Sequence, residues 1–239
     1  IGEALAEQSI PFSTPCLPGH ATNLKDFTRT RFADWYGQAR SSTLQLQKQG
    51  RPVIVVGLSM GGALGLRLAQ EYPLAGLVAI AAPVTLYTLL PWRCSSPLLP
   101  LVPLLRHVKP VVQVPRPSAE SNRIAPHKGY EGFQALHPLS SLLSGLRSVR
   151  RGLGRVTAPI LLLHSPQDQT VPVANALEII SRVSSRHRQL HLLSIQETET
   201  SRHVLTTHLE TRDVVAKAVV DFVLQVSFAA GKADLLGYD

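Results

Sequence analysis

Cysteine is nearly absent from this chain of 239 residues, with only Cys16 and Cys94 present. Two thiols cannot build a disulfide framework, and their spacing matches no zinc pattern. They read as free thiols in a reducing compartment. Nothing in the sequence implies a metal or nucleotide cofactor. Long apolar runs are also lacking. The most apolar stretch, residues 84–105, is broken by Pro91, Arg93, Pro97, Pro100 and Pro103. That excludes an uninterrupted membrane helix there. Acidic residues are outnumbered, 16 Asp and Glu against 24 Lys and Arg, for a formal net charge of +8. Part of the excess sits in Arg147, Arg150, Arg151 and Arg155. Such a cluster can attract nucleic acid or anionic lipid. No nucleic-acid motif accompanies it, so a solvated loop face is the preferred reading and no nucleic-acid partner is expected. A secretory signal pattern is missing, and the first residue is Ile1 rather than Met. The chain therefore reads as a fragment or trimmed product of a cytoplasmic protein.

What is present is the alternation of an α/β domain. Hydrophobic residues make up 44% and charged residues 17%, ordinary for a globular protein of this length. Residues 52–56, 75–82, 159–164 and 190–194 are strand candidates. The first is apolar on both faces, as a strand buried inside a parallel sheet should be. Residues 11–16 form a further short strand candidate, before a Pro18-Gly19 turn. Residues 1–8 read as a helix end. Residues 31–49 carry Phe32, Trp35, Tyr36, Ala39, Thr43 and Leu46 at helical spacing, and Gly50 stops that helix. Helices are also expected over 173–183 and 212–226. Strands alternating with helices predict a mostly parallel sheet flanked by helices. Residues 86–155 break the rhythm and read as an inserted, partly helical cap over the C-terminal edge of the sheet. The core is then 1–85 with 156–228, and 229–239 a C-terminal tail.

The strongest feature is Gly57-Leu58-Ser59-Met60-Gly61-Gly62 between a buried strand and a small-residue helix. A nucleophilic serine must project from a tight, strained strand-to-helix turn. Side chains two residues either side of it are expected to collide, so both positions want glycine. The helix start places the Met60 N–H where a developing oxyanion needs a donor. A serine hydroxyl also needs a base, and the base needs an orienting acid. Asp168 follows the strand ending at His164, in the loop position where active-site groups of such sheets collect. Glu197 and Glu199 are weaker acid candidates. His203 lies on the loop before the last helix and is preferred as base over His208 on the same segment.

These stretches resemble the bacterial carboxylesterase and monoacylglycerol lipase group of the α/β-hydrolase superfamily. Leu17-Pro18-Gly19-His20, Asp34-Trp35, the Ser59 turn, Asp168-Gln169-Thr170-Val171-Pro172 and Ser201-Arg202-His203-Val204-Leu205-Thr206 run in that group's order. The resemblance implies an α/β-hydrolase fold with Ser59 as nucleophile, His203 as base and Asp168 as acid. The group's Gly-His-Gly turn reads Gly19-His20-Ala21 here. Its opening strand and His-Gly loop, which supply the second oxyanion donor, have no counterpart in this sequence. The fold is thus expected to be incomplete at its N-terminus, with Met60 the one oxyanion donor encoded.

The expected activity is hydrolysis of short- or medium-chain acyl esters or monoacylglycerols through an acyl-enzyme. Leu89, Leu90, Trp92, Leu98, Leu99, Leu101, Leu104 and Leu105 make the cap apolar, which suits an acyl chain as readily as plain packing. His20, Trp92 and Leu98 are the substrate-side candidates. A small-molecule ester is the expected partner, and peripheral contact of the apolar cap with a membrane is a weaker reading. The alternatives are a non-catalytic or truncated hydrolase-like protein, or thioesterase, peptidase or acyltransferase chemistry on the same fold.

Overall fold

A computed structural model describes residues 1–89, 92–94 and 99–236. Along the chain, α1 (Gly2–Glu7), α2 (Leu24–Arg29) and α3 (Phe32–Gln47) precede β1 (Ile54–Leu58), α4 (Met60–Ala69) and β2 (Gly76–Ile80). Two short antiparallel pairs follow: β3 (Tyr87–Leu89) with β4 (Trp92–Cys94), then β5 (Val111–Gln113) with β6 (Phe133–Ala135). Between and after them come α5 (Val102–Leu105), α6 (Ala119–Ile124) and α7 (Leu136–Arg151). The chain then adds β7 (Ile160–His164), α8 (Ala174–Arg182), β8 (Arg188–Leu192) and α9 (Arg212–Leu236).

The main sheet is parallel, in the order β1-β2-β7-β8, with β1 at one edge. Side chains on a strand alternate between faces, and here the alternation divides two cores. Leu77, Ala79, Ile160 and Leu162 pack with Leu66 and Leu68 of α4, Val149 of α7 and Ile179 of α8. Val78, Ile80, Leu161 and Leu163 pack on the opposite face with Leu5 of α1 and Val215, Val219, Phe222 and Val226 of α9. Both faces of β2 and β7 are buried throughout, which explains their unbroken aliphatic runs. The result is a mostly parallel sheet between two helical layers.

The expected strands appear within about two residues of their predicted bounds, a normal margin for element ends. Residues 11–16 are a correction. They are irregular and exposed at every position, so no apolar face is there to be buried in a sheet. Helix α2 was not expected. Asn23 caps it by accepting the Asp26 N–H at 3.0 Å. Helix α9 runs past the expected end at 226 to Leu236.

The inserted residues are partly helical and also contain the two antiparallel pairs. A small separate core of Leu99, Val102, Leu136 and Leu143 holds their middle together. Their last helix joins the main body: Gly145 lets α7 approach the Phe32 ring, where an added Cβ would lie 2.4 Å from Cγ. Among the described residues, no helix is long and apolar enough to cross a membrane.

Candidate active site

The candidate site residues Ser59, Asp168 and His203 follow the C-terminal ends of the parallel strands, each on a different loop. β1 ends at Leu58 and α4 begins at Met60, so Ser59 alone turns the chain. Its backbone sits at φ +52° and ψ −117°, a region that L-residues rarely adopt. Its N–H donates to Ile80 O at 2.7 Å and its carbonyl accepts from Ala63 N at 3.2 Å, which hold the strained turn. A Cβ on Gly57 would lie 2.2 Å from the Gly61 carbonyl carbon, and one on Gly62 2.6 Å from the Ala82 Cβ. At Gly61 an added Cβ meets nothing within 4 Å. The collisions expected at Gly57 and Gly61 thus fall on Gly57 and Gly62 instead. Met60 is the first residue of α4, so its N–H has no partner within its own helix.

His203 reaches Ser59 from the loop after β8. Its Nε2 lies 2.8 Å from Ser59 Oγ, and its Nδ1 lies 2.7 Å from Asp168 Oδ2. A carboxylate can only accept, so Nδ1 carries the ring hydrogen and Nε2 is left to accept from the serine hydroxyl. The Asp168 side chain is fully enclosed. Its Oδ1 accepts the N–H groups of Thr170 at 2.7 Å and Val171 at 2.8 Å. A buried carboxylate held by these donors is fixed in direction. The arrangement can carry a proton from Ser59 to His203 while Asp168 orients the imidazole.

The loop that delivers His203 is built around Glu197. That carboxylate accepts from Thr200 Oγ1 at 2.5 Å, Thr200 N at 2.9 Å, Glu199 N at 2.6 Å and His208 Nε2 at 3.0 Å. Partial burial works to raise its pKa. The hydrogen bonds from Thr200 and His208 outweigh burial and hold it at about 2. Arg202 donates from Nε to Glu197 O at 2.7 Å and adopts φ +54° just before His203. Glu197, Glu199 and the buried His208 therefore form the scaffold of the loop and do not meet Ser59. A single charged residue among several in a loop gives no sequence signal for this role.

Two further residues were not anticipated. Asn175 is buried at the start of α8, and its Oδ1 accepts both Val84 N and Thr85 N at 2.8 Å. It ties the exit of the sheet after β2 to the region following Asp168. His164 is buried beneath Asp168 at the end of β7, with Nε2 2.9 Å from Val171 O and 3.5 Å from Asp168 Oδ2. Burial pushes its pKa below the ordinary histidine value.

Of the substrate-side candidates, His20 lies in the turn before α2. The His20 ring contacts Phe27 and Trp35 edge-on, at 5.4 and 5.8 Å between centroids, and its Nδ1 lies 3.3 Å from Pro18 O. These contacts hold it in its own turn. Trp92 has its backbone in β4, and Leu98 lies outside the described residues. Leu99 packs into the insertion's small core, whereas Leu101 and Leu104 are exposed.

Residues 19–196 match the family model described as serine aminopeptidase, S33. The chain belongs to that family. It is an α/β-hydrolase, similar to carboxylesterases and monoacylglycerol lipases. The family match spans Ser59 and Asp168 and ends before His203. Across 226 residues the chain is 28% identical to the thermostable monoacylglycerol lipase of Bacillus sp. (strain H-257), covering 93% of this chain and 83% of that protein. It is 23% identical over 224 residues to the carboxylesterase of Bacillus subtilis (strain 168), covering 93% and 85%. Among solved structures, a metagenome-derived lipolytic enzyme of the LipS and LipT pair superposes with a TM-score of 0.78, at 21% identity over 93% of this chain and 85% of that one.

Proposed function

We propose that the chain hydrolyses carboxylic esters through an acyl-enzyme, acting on short- or medium-chain acyl esters or monoacylglycerols. The observation that carries the reading is the unbroken line from Ser59 Oγ to His203 Nε2 at 2.8 Å and from His203 Nδ1 to Asp168 Oδ2 at 2.7 Å.

Ser59 Oγ attacks the ester carbonyl carbon while His203 Nε2 takes its proton. Asp168 stabilises the imidazolium that results. The Met60 N–H, at the positive end of α4, donates to the oxygen that becomes negative. His203 returns the proton to the leaving alcohol. A water molecule, deprotonated by the same imidazole, then releases the acid. In this reading the inserted residues 86–155 act as a cap whose apolar residues, Trp92 and Leu98 among them, receive the acyl chain. His20 borders the substrate side, in a turn held by Tyr130 of the insertion, whose hydroxyl donates to Gly19 O.

The test is a series of p-nitrophenyl esters from acetate to laurate, run beside a monoacylglycerol and an aminoacyl p-nitroanilide. The family description names an aminopeptidase, and the anilide is its arm. Esters are the expected substrates. Ser59→Ala and His203→Ala should each lower kcat by about 10³-fold or more. Loss of fluorophosphonate labelling should accompany Ser59→Ala. Undiminished hydrolysis by the Ser59→Ala protein sinks the mechanism, and turnover of the anilide alone reassigns the substrate.

A further inference from the structure

We propose that His164 is a positioning residue for Asp168, its ring N–H bonded to the Val171 carbonyl and its Nε2 set beside the carboxylate oxygen that His203 uses. The inference rests on the reading of Ser59, His203 and Asp168 given above.

The backbone of His164 is fixed by the sheet. It is the last residue of β7, pairs in register with Leu192, and its carbonyl accepts from Leu193 N at 2.9 Å. The side chain is 1% exposed and lies outside the proposed proton path. A buried imidazole must place its N–H on an acceptor. Val171 O lies 2.9 Å from Nε2 and can only accept, so Nε2 carries the hydrogen. Asp168 Oδ2 is 3.5 Å from the same nitrogen. The hydrogen bond goes to Val171, and the polarised Nε2–H group lies beside the carboxylate without bonding to it.

Counting donors around Asp168 shows what this supplies. A carboxylate offers about four acceptor directions. Thr170 N and Val171 N occupy two on Oδ1, and His203 Nδ1 occupies one on Oδ2. His164 Nε2 lies 3.5 Å from Oδ2, a close polar neighbour and not a fourth hydrogen bond. The bond to Val171 O also closes the loop 165–171 onto the strand end, and this loop presents the two N–H groups that grip Oδ1. His164 thus acts on the acid directly and through the loop. Burial disfavours its charged form, which weakens any competition with a protonated His203 for the Asp168 charge.

A pH signature separates this from simple core packing. The positive end of the Nε2–H dipole, set beside Oδ2, stabilises negative charge on the oxygen that supports the His203 imidazolium. Removing it raises the proton affinity of His203. The groups facing His203 are Asp168, His164 and, from the insertion, His127, which itself faces Glu131. Only the His164 contribution changes in the experiment.

The experiment measures kcat and KM for p-nitrophenyl butyrate across the histidine titration range. It compares the parent with His164→Leu, His164→Gln and His164→Asn. The Leu variant should lose about 10- to 100-fold in kcat, with KM nearly unchanged and the acid limb of the profile moved to higher pH. Gln places an amide N–H near the position of Nε2 and should restore most of kcat and the limb. Asn is too short to do so and should behave as Leu. A folded Leu variant with parental kcat and limb overturns the proposal. Where Leu does not fold, equal kcat and limbs for Gln and Asn overturn it. A Ser59→Ala control separates the two levels: hydrolysis that survives it refutes the reading of the site itself. Loss of activity in Ser59→Ala beside a parental His164→Leu refutes only the role of His164.

Discussion

The indole N–H of Trp35 donates to the carbonyl of Pro18 at 3.0 Å. This bond joins two stretches that are separate in sequence, Leu17-Pro18-Gly19-His20 and Asp34-Trp35. The Trp35 ring is buried, stacks on Phe27 with centroids 5.8 Å apart, and meets the His20 ring edge-on. Asp34 contributes by accepting Arg31 N at 2.8 Å at the start of α3. Trp35→Phe keeps an aromatic ring, deletes the donor and leaves part of the buried indole volume empty. It should lower unfolding stability by about 1–3 kcal/mol, read from the urea midpoint at constant slope.

The glycines of the elbow should separate sharply on substitution. Gly57→Ala pushes a methyl to 2.2 Å from backbone, which cannot move without dismantling the turn. A loss of about 3 kcal/mol or more, or failure to fold, is expected. Gly62→Ala should be damaging through the Ala82 Cβ at 2.6 Å. Gly61→Ala enters open space, and its stability should stay within about 1 kcal/mol of the parent. Thermal unfolding of the three proteins checks the order.

Asn175 is the hinge pin between the segment after β2 and α8. Replacing it with Leu leaves the buried Val84 N–H without its acceptor. The expected loss is about 1–3 kcal/mol. Asn175→Asp keeps the acceptor for both N–H groups but, like Leu, loses the Nδ2 donation to Pro172 O, and it should fall between the parent and the Leu variant in urea denaturation.

Acid should loosen the His203 loop before the sheet. Glu197 sits at about 2 in the folded chain against its ordinary 4.5. Between those values the unfolded chain binds the extra proton, so stability rises with pH across that window. The contribution is fully present above about 4.5 and disappears as pH falls through about 2. Glu178 and Glu210 are lowered in the same sense. Urea midpoints taken at neutral pH and near pH 3 should fall less steeply for Glu197→Gln than for the parent. The Gln protein should start lower at neutral pH.

Much of this was visible in the residues themselves. A run such as Ile160-Leu161-Leu162-Leu163 has no polar face, so it has to be an interior strand. Glycines around Ser59 mark a turn where backbone meets backbone. His203 stood out from His208 because it lies farther from the last helix. What could not be seen depends on partners distant in sequence. Helix α2 is six residues with no buried face, so it leaves no apolar period, and only its Asn23 cap announces it. The partners of Asn175 lie 91 and 90 residues away. His164 looks like the end of a strand until the loop folds back above it. Glu197 is one of several charges on a polar segment until Thr200, His208 and the Glu199 N–H converge on it.

The positive φ of Ser59 has a consequence beyond chemistry. A residue held in such a conformation stores about 1–3 kcal/mol of strain, and glycine in its place stores almost none. Variants screened for heat resistance alone would therefore drift toward glycine at position 59 and lose the hydroxyl. At this residue, thermal selection and selection for turnover pull in opposite directions.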